Sequence, residues 1–77
     1  MNLTPDQHNA LTFIADAEPR GATDAMIEAQ RIKPQLLVDL VKSGLVHGRL
    51  ERVRVGGRNF QVTRLALTNA GRRKLAH

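Results

Sequence analysis

Apolar positions along the chain follow two periods, and the switch between them divides the molecule. From Pro34 to Val46 the order PQLLVDLVKSGLV puts Leu36, Leu37, Leu40 and Val41 on one side of a helix, an arc of about 140° at roughly 100° per residue. Gln35, Val38, Asp39 and Lys42 fall on the opposite side. Ser43-Gly44 stops that helix, Gly44 being suited to a left-handed position just past its end. Leu45-Val46 then restarts the apolar pattern as the entry to a strand. Arg52-Val53-Arg54-Val55 and Phe60-Gln61-Val62-Thr63 both alternate with period two. A four-residue loop, Gly56-Gly57-Arg58-Asn59, pairs Val55 with Phe60, Val53 with Val62 and Glu51 with Arg64. A two-residue Gly-Gly turn pairs Glu51 with Val62 instead, so the longer loop is the expectation. Leu65 and Leu67 sit on the other parity, which predicts a bulge or twist near Arg64.

Ahead of this region lie two further helices. Thr4 can cap the first, Pro5 suits its first position, and Gln7 completes a capping box. Asp6 also favours the positive end of that helix. Ala10, Leu11, Ile14, Ala15 and Ala17 form its buried stripe, with Phe13 at the edge, and Glu18-Pro19-Arg20-Gly21 ends it. Thr23 can cap a short helix from Asp24 to about Gln30, with Met26, Ile27 and Ala29 turned inward. Arg31-Ile32-Lys33 is the turn before Pro34, and two short helices joined this way make a helix-turn-helix unit. After the strands, Thr68 can cap a last helix of about two turns, against which Gly71 counts.

At 77 residues the chain has room for one domain, 1–77. It holds no cysteine, which excludes disulfides and thiolate metal sites. Its longest apolar runs are three residues, as in Phe13-Ile14-Ala15, too short to span a membrane. With no charged segment leading into an apolar one, the expected location is cytoplasmic. Charge changes the picture more. Residues 1–30 hold Arg20 against Asp6, Asp16, Glu18, Asp24 and Glu28, a net −4, whereas residues 31–77 hold eleven basic side chains against Asp39 and Glu51, a net +9. So uneven a split points to a polyanionic partner, above all nucleic acid.

Three segments together carry a resemblance: Leu40-Val41-Lys42-Ser43-Gly44-Leu45-Val46, the basic hairpin, and Leu67-Thr68-Asn69-Ala70-Gly71-Arg72. They resemble winged helix-turn-helix regulators, most of all the multiple-antibiotic-resistance-type repressors, in which an L-x-x-x-G-L-V segment and an L-T-x-x-G segment flank the wing. The likeness covers about residues 4–75. It implies an α+β fold of three helices, a two-stranded wing and a short C-terminal helix, with residues 34–43 as recognition helix and the wing within 52–64. It also implies a small transcriptional regulator that binds duplex DNA. Three features depart from that family. The long terminal helices used for dimerisation have no counterpart here, the recognition helix opens Lys33-Pro34-Gln35, and its outer side carries Val38 and Asp39.

The candidate nucleic-acid contacts follow from chemistry at these positions. Arg52 and Arg54 share a strand face, Arg58 falls in the expected loop, and Arg64 lies on the return strand; guanidinium forks grip phosphate and enter narrow minor grooves. Arg49, Arg72, Arg73 and Lys74 can extend the patch. On the helix the candidates are Lys33, Gln35 and Lys42, with Gln35 able to pair bidentately with adenine. No enzyme is indicated: there is no acid pair, no Ser-His set and no phosphate-cradling loop, and Ser43 is the only serine. His8, His47 and His77 are scattered, without the spacing of a metal site, and no cofactor or small-molecule ligand is indicated. The alternative to DNA binding is a protein-interaction or dimerisation module, which the outward Val38 would suit. A homodimer could also pair the acidic first thirty residues of one copy with the basic half of another.

Overall fold

In the computed structural model, which describes residues 3–76, Thr4 caps the first helix as expected. Its hydroxyl accepts from the Gln7 backbone N–H at 3.1 Å, while the Gln7 side chain accepts from the Thr4 N–H at 3.0 Å. The elements that follow are α1 (Pro5–Asp16), β1 (Ala22–Thr23), α2 (Asp24–Ala29), α3 (Pro34–Lys42), β2 (Val46–Val55), β3 (Arg58–Leu67) and α4 (Asn69–Leu75). The described residues are therefore α+β, with four helices and one three-stranded antiparallel sheet in the order β1-β3-β2. No helix among them is long and apolar enough to cross a membrane. His77, one of the three scattered histidines, lies outside the described residues.

The ends of α2 and α3 use the same device. Past α3, the Leu45 N–H donates to the Leu40 carbonyl at 3.0 Å and the Gly44 N–H to Val41 at 3.0 Å. Past α2, Ile32 donates to Ile27 at 3.3 Å and Arg31 to Glu28 at 3.0 Å. Both are Schellman ends, in which a left-handed residue lets the chain fold back over the last turn. Gly44 takes that conformation at φ 75°; at α2 an arginine must do so, Arg31 at φ 57°. Leu45 and Ile32, the residues just past the two turns, pack partly buried against the cluster that holds Leu40 and Ile27.

The core consists of Ala10, Leu11 and Ile14 from α1, Ala22, Ile27, Leu40, and Val46, Leu65 and Leu67 from the sheet. Ala15 and Ala17 pack against it partly buried, as do Phe13, Leu36 and Leu37. The expected inward faces of the shorter helices are only partly realised. Val41 is 46% exposed and Met26 38%, and Ala29 is exposed. A small domain cannot cover a whole helical arc, so Leu40 and Ile27 are buried while their neighbours lie at the rim.

The sheet corrects three expectations. First, the hairpin turn is Gly56-Gly57 alone, pairing Val55 with Arg58, Val53 with Phe60 and Glu51 with Val62. Both glycines have positive φ, 58° and 81°, the signature of a type I′ turn, whose twist matches that of the strands. Second, the ladder runs without a break from Val55↔Arg58 to Val46↔Leu67, so there is no bulge near Arg64. Third, Ala22-Thr23 forms an added strand opposite Leu65 and Arg64, a segment too short to show a period.

Gly71 belongs to α4 for a reason the helix alone does not supply. A Cβ there would lie 2.1 Å from the Leu45 carbonyl oxygen, so only glycine lets α4 approach the Schellman end of α3 so closely. Thr68 ties the same joint. Its backbone N–H donates to Leu45 at 3.1 Å, its hydroxyl donates to the Gly44 carbonyl, and its oxygen caps α4 by accepting from Gly71 at 3.0 Å. The L-x-x-x-G-L-V and L-T-x-x-G segments are thus two sides of one contact.

Candidate nucleic-acid interface

Strand alternation sorts the β2–β3 hairpin into two faces. From base to tip, one face carries Val46, Gly48, Leu50, Arg52 and Arg54, opposite Leu67, Leu65, Thr63, Gln61 and Asn59. Its base is the core wall, because Val46, Leu65 and Leu67 are buried under the helices. Beyond Gly48 the helices no longer cover it. Leu50 is 69% exposed, and Arg52 and Arg54 stand outside the body beside Gln61 and Asn59. The molecule measures 46 × 23 × 20 Å along its principal axes, and ten-residue strands at about 3.3 Å per residue supply about 33 Å of its length.

The candidate residues fall into three groups. Arg52 and Arg54 are together on the face just described, both exposed, and neither has a carboxylate within 4.0 Å among the described residues. Arg58 is not in a loop; it begins β3 on the opposite face, where Arg64 also lies farther along the strand. Arg64 is taken up by Glu51, which bonds its Nε at 2.5 Å and leaves the Arg64 side chain only 22% exposed. Sequence pairing set these two directly across from one another. In the observed register they are diagonal neighbours, a separation long side chains span.

The helix group is placed less favourably. Lys33 is the N-cap residue of α3 and makes no side-chain cap. Lys42 lies in the last turn, where a cation complements the helix dipole. Gln35 donates its side-chain amide to Asp39 at 3.0 Å. That bond occupies part of the amide edge a bidentate adenine contact would use, and it partly satisfies Asp39, the acid on the outer side of α3. Val38 is exposed on the same side, and Val41 is exposed at the rim of the apolar arc.

Among the extending residues, Arg72 is paired with Glu18, whose other oxygen accepts from the Leu67 backbone N–H at 3.3 Å. Arg73 is exposed on α4. Arg49 stands directly across from Arg64 and, with Arg20 and His47, lines a hollow of about 200 Å³ on the back of the sheet. A second, open groove of about 720 Å³ runs between α1 and the start of α3, lined by Asp6, Phe13, Ile32, Lys33 and Leu36 among others. Asn59 and Gln61, the polar neighbours of the two arginines, were missed from sequence. Alternation puts Gln61 on that face with either turn, and only the two-residue turn at Gly56-Gly57 adds Asn59, opposite Arg54.

Compared with known protein families, curated proteins and solved structures, the chain matches none.

Proposed function

We propose that the chain is a winged helix-turn-helix domain that binds duplex DNA mainly through its phosphates, with the β2–β3 hairpin as the wing. The observation that carries this reading is the outer half of one hairpin face. There Arg52 and Arg54 project beyond the body without an acidic partner among the described residues, flanked by Gln61 and Asn59. Guanidinium groups held this way meet phosphate oxygens, and the amides add neutral donors to the same backbone. Because Gln35 is bonded to Asp39, α3 contributes little base readout, and binding is weakly selective for sequence. Anisotropy titration on random duplex DNA at two salt concentrations tests this. Arg52→Ala and Arg54→Ala should each weaken binding to all sequences alike and reduce the salt slope by about one unit per lost phosphate contact. No wild-type binding at low salt, or no change in slope in both variants, defeats the proposal.

A second reading has its own support. Val38 and Val41 are 42% and 46% exposed on α3, a surface better suited to a protein groove than to a DNA groove. In that case the chain is an interaction module, whose association would be insensitive to salt and sensitive to Val38→Asp.

A further inference from the structure

The back of the sheet, at the hairpin base, gathers like charge. Arg49 stands directly across from Arg64, and on the next rung of that face His47 is opposite Ala66. Arg20 arrives from the far side of β3, on the connection between α1 and β1. Gly21, at φ 92°, lets that connection lie close: a Cβ there would fall 3.0 Å from the Leu65 carbonyl oxygen and 3.4 Å from the Arg64 Cβ. With Pro19 and Ala66 these side chains enclose the hollow of about 200 Å³. Ala66 leaves the space open, because its side chain ends at Cβ among longer neighbours. Like charges set directly opposite one another destabilise a sheet. Here three guanidinium groups and an imidazole meet a single carboxylate, Glu51, and no other acid lies within 4.0 Å of them among the described residues. Glu51 takes the Arg64 Nε alone, so both Nη groups remain as donors.

We infer that this hollow is an anion site for one terminal phosphate group, either free phosphate or a phosphate monoester. Size and charge select that ligand. At about 200 Å³ the hollow is smaller than the roughly 300–1,000 Å³ of sites that enclose whole small molecules. It therefore takes one anionic group and leaves the rest of its carrier outside. Three guanidinium groups against one carboxylate leave an excess of two positive charges. A phosphate monoester carries about −1.5 to −2 near neutral pH and offers three acceptor oxygens, whereas a backbone diester carries one charge and cancels only half the excess. Arg20 and Arg49 approach from the two sides of β3, and the Arg64 Nη groups lie between them. Guanidinium forks held in this way bond several oxygens of one phosphate. Arg52 and Arg54 stand on the other face of the hairpin, so the site does not rest on the DNA reading. A free phosphorylated molecule and a phosphorylated nucleic-acid end both present the group, and the test separates them.

The experiment is an amide chemical-shift titration of the full chain with inorganic phosphate, at a pH of about 7.5 where the dianion dominates and with sodium chloride holding ionic strength constant. Shifts at His47, Arg49, Arg64 and Ala66 should move together and saturate with a Kd on the order of 1 mM. Dimethyl phosphate, a diester, should bind about fivefold more weakly or worse. Arg49→Ala and Arg20→Ala should each weaken phosphate about fivefold, while Arg73→Ala, which removes the same charge from α4, should leave it unchanged. A duplex with phosphorylated ends is then compared with the same duplex ending in hydroxyls. Tighter binding of the phosphorylated form, lost in Arg49→Ala, assigns the site to a nucleic-acid end. Equal behaviour of the two duplexes, with phosphate saturation intact, assigns it to a free phosphorylated molecule. Absence of all DNA binding beside intact phosphate saturation defeats the DNA reading and leaves this site standing. Shifts that rise without saturating, a diester bound as tightly as phosphate, or wild-type affinity in both Arg49→Ala and Arg20→Ala would overturn it.

Discussion

The base and the distal half of the β2–β3 hairpin are one ladder in one register, yet they are physically opposite. At the base, Val46, Leu65 and Leu67 are sealed by α1, α3 and α4. Past Gly48 the same face carries Leu50, Arg52 and Arg54 in the open, while Val53, Val55, Phe60 and Val62 occupy the reverse side. The apolar face changes sides midway along the strands without any break in pairing. Burial in a sheet is therefore set by what lies over each rung, and alternation only decides which side a residue faces. The base spends its apolar side on the fold, whereas the distal half has both sides available for partners.

The joint at the base should be the most sensitive point. Gly71→Val puts a branched side chain against the Leu45 carbonyl, where even a Cβ would fall at 2.1 Å. α4 must then move away and release the Thr68 contacts with it. We expect a domain of this size to lose its cooperative thermal transition, since its total stability is only about 5–15 kcal/mol. A transition retained at the wild-type temperature would mean that α4 does not seat there.

A pair of leucines sharpens the contrast. Leu40 is fully buried and Leu50 is 69% exposed, so Leu40→Ala should cost roughly 2–5 kcal/mol and Leu50→Ala no more than about 0.5 kcal/mol. Urea unfolding of both variants measures the difference, and equal costs would show that the distal half is packed as tightly as the base.

The smallest effect should come from the α2 end. Arg31 holds a left-handed conformation at φ 57°, which a side chain resists and glycine does not. Arg31→Gly should therefore raise stability by about 0.5–1 kcal/mol, the gain of relieved strain outweighing the added freedom of the unfolded chain. A lower melting temperature would indicate that the Arg31 side chain makes a contact worth more than its strain.

Much of this was legible along the chain. Thr4, Thr23 and Thr68 all cap the helices they precede, Pro5 and Pro34 occupy first turns, and Gly44 ends α3. These are contacts within a few residues, so local sequence is enough to specify them. The pairing of Arg52 and Arg54 on one exposed face was equally readable from alternation. Glu51 was legible as the partner of Arg64, though directly across rather than diagonal, whereas the Gln35 bond was not, since a helix-surface bond depends on side chains settling in a finished framework.

What the sequence alone determined, then, is the order of the four helices and the two long strands, and which residues of the outer hairpin share a face. What only the tertiary structure decided is the register. The two candidate turns differ by two residues, and a slip of two leaves every side chain on the same face, so the apolar pattern cannot tell them apart. The choice is made at the far end of the hairpin. There the Thr68 N–H bonds Leu45, Gly71 seats against the Leu45 carbonyl, and Val46 meets Leu67 inside the core. Those contacts fix the base, and a continuous ladder carries that choice to the tip, where Gly56 and Gly57 can close the chain in two residues.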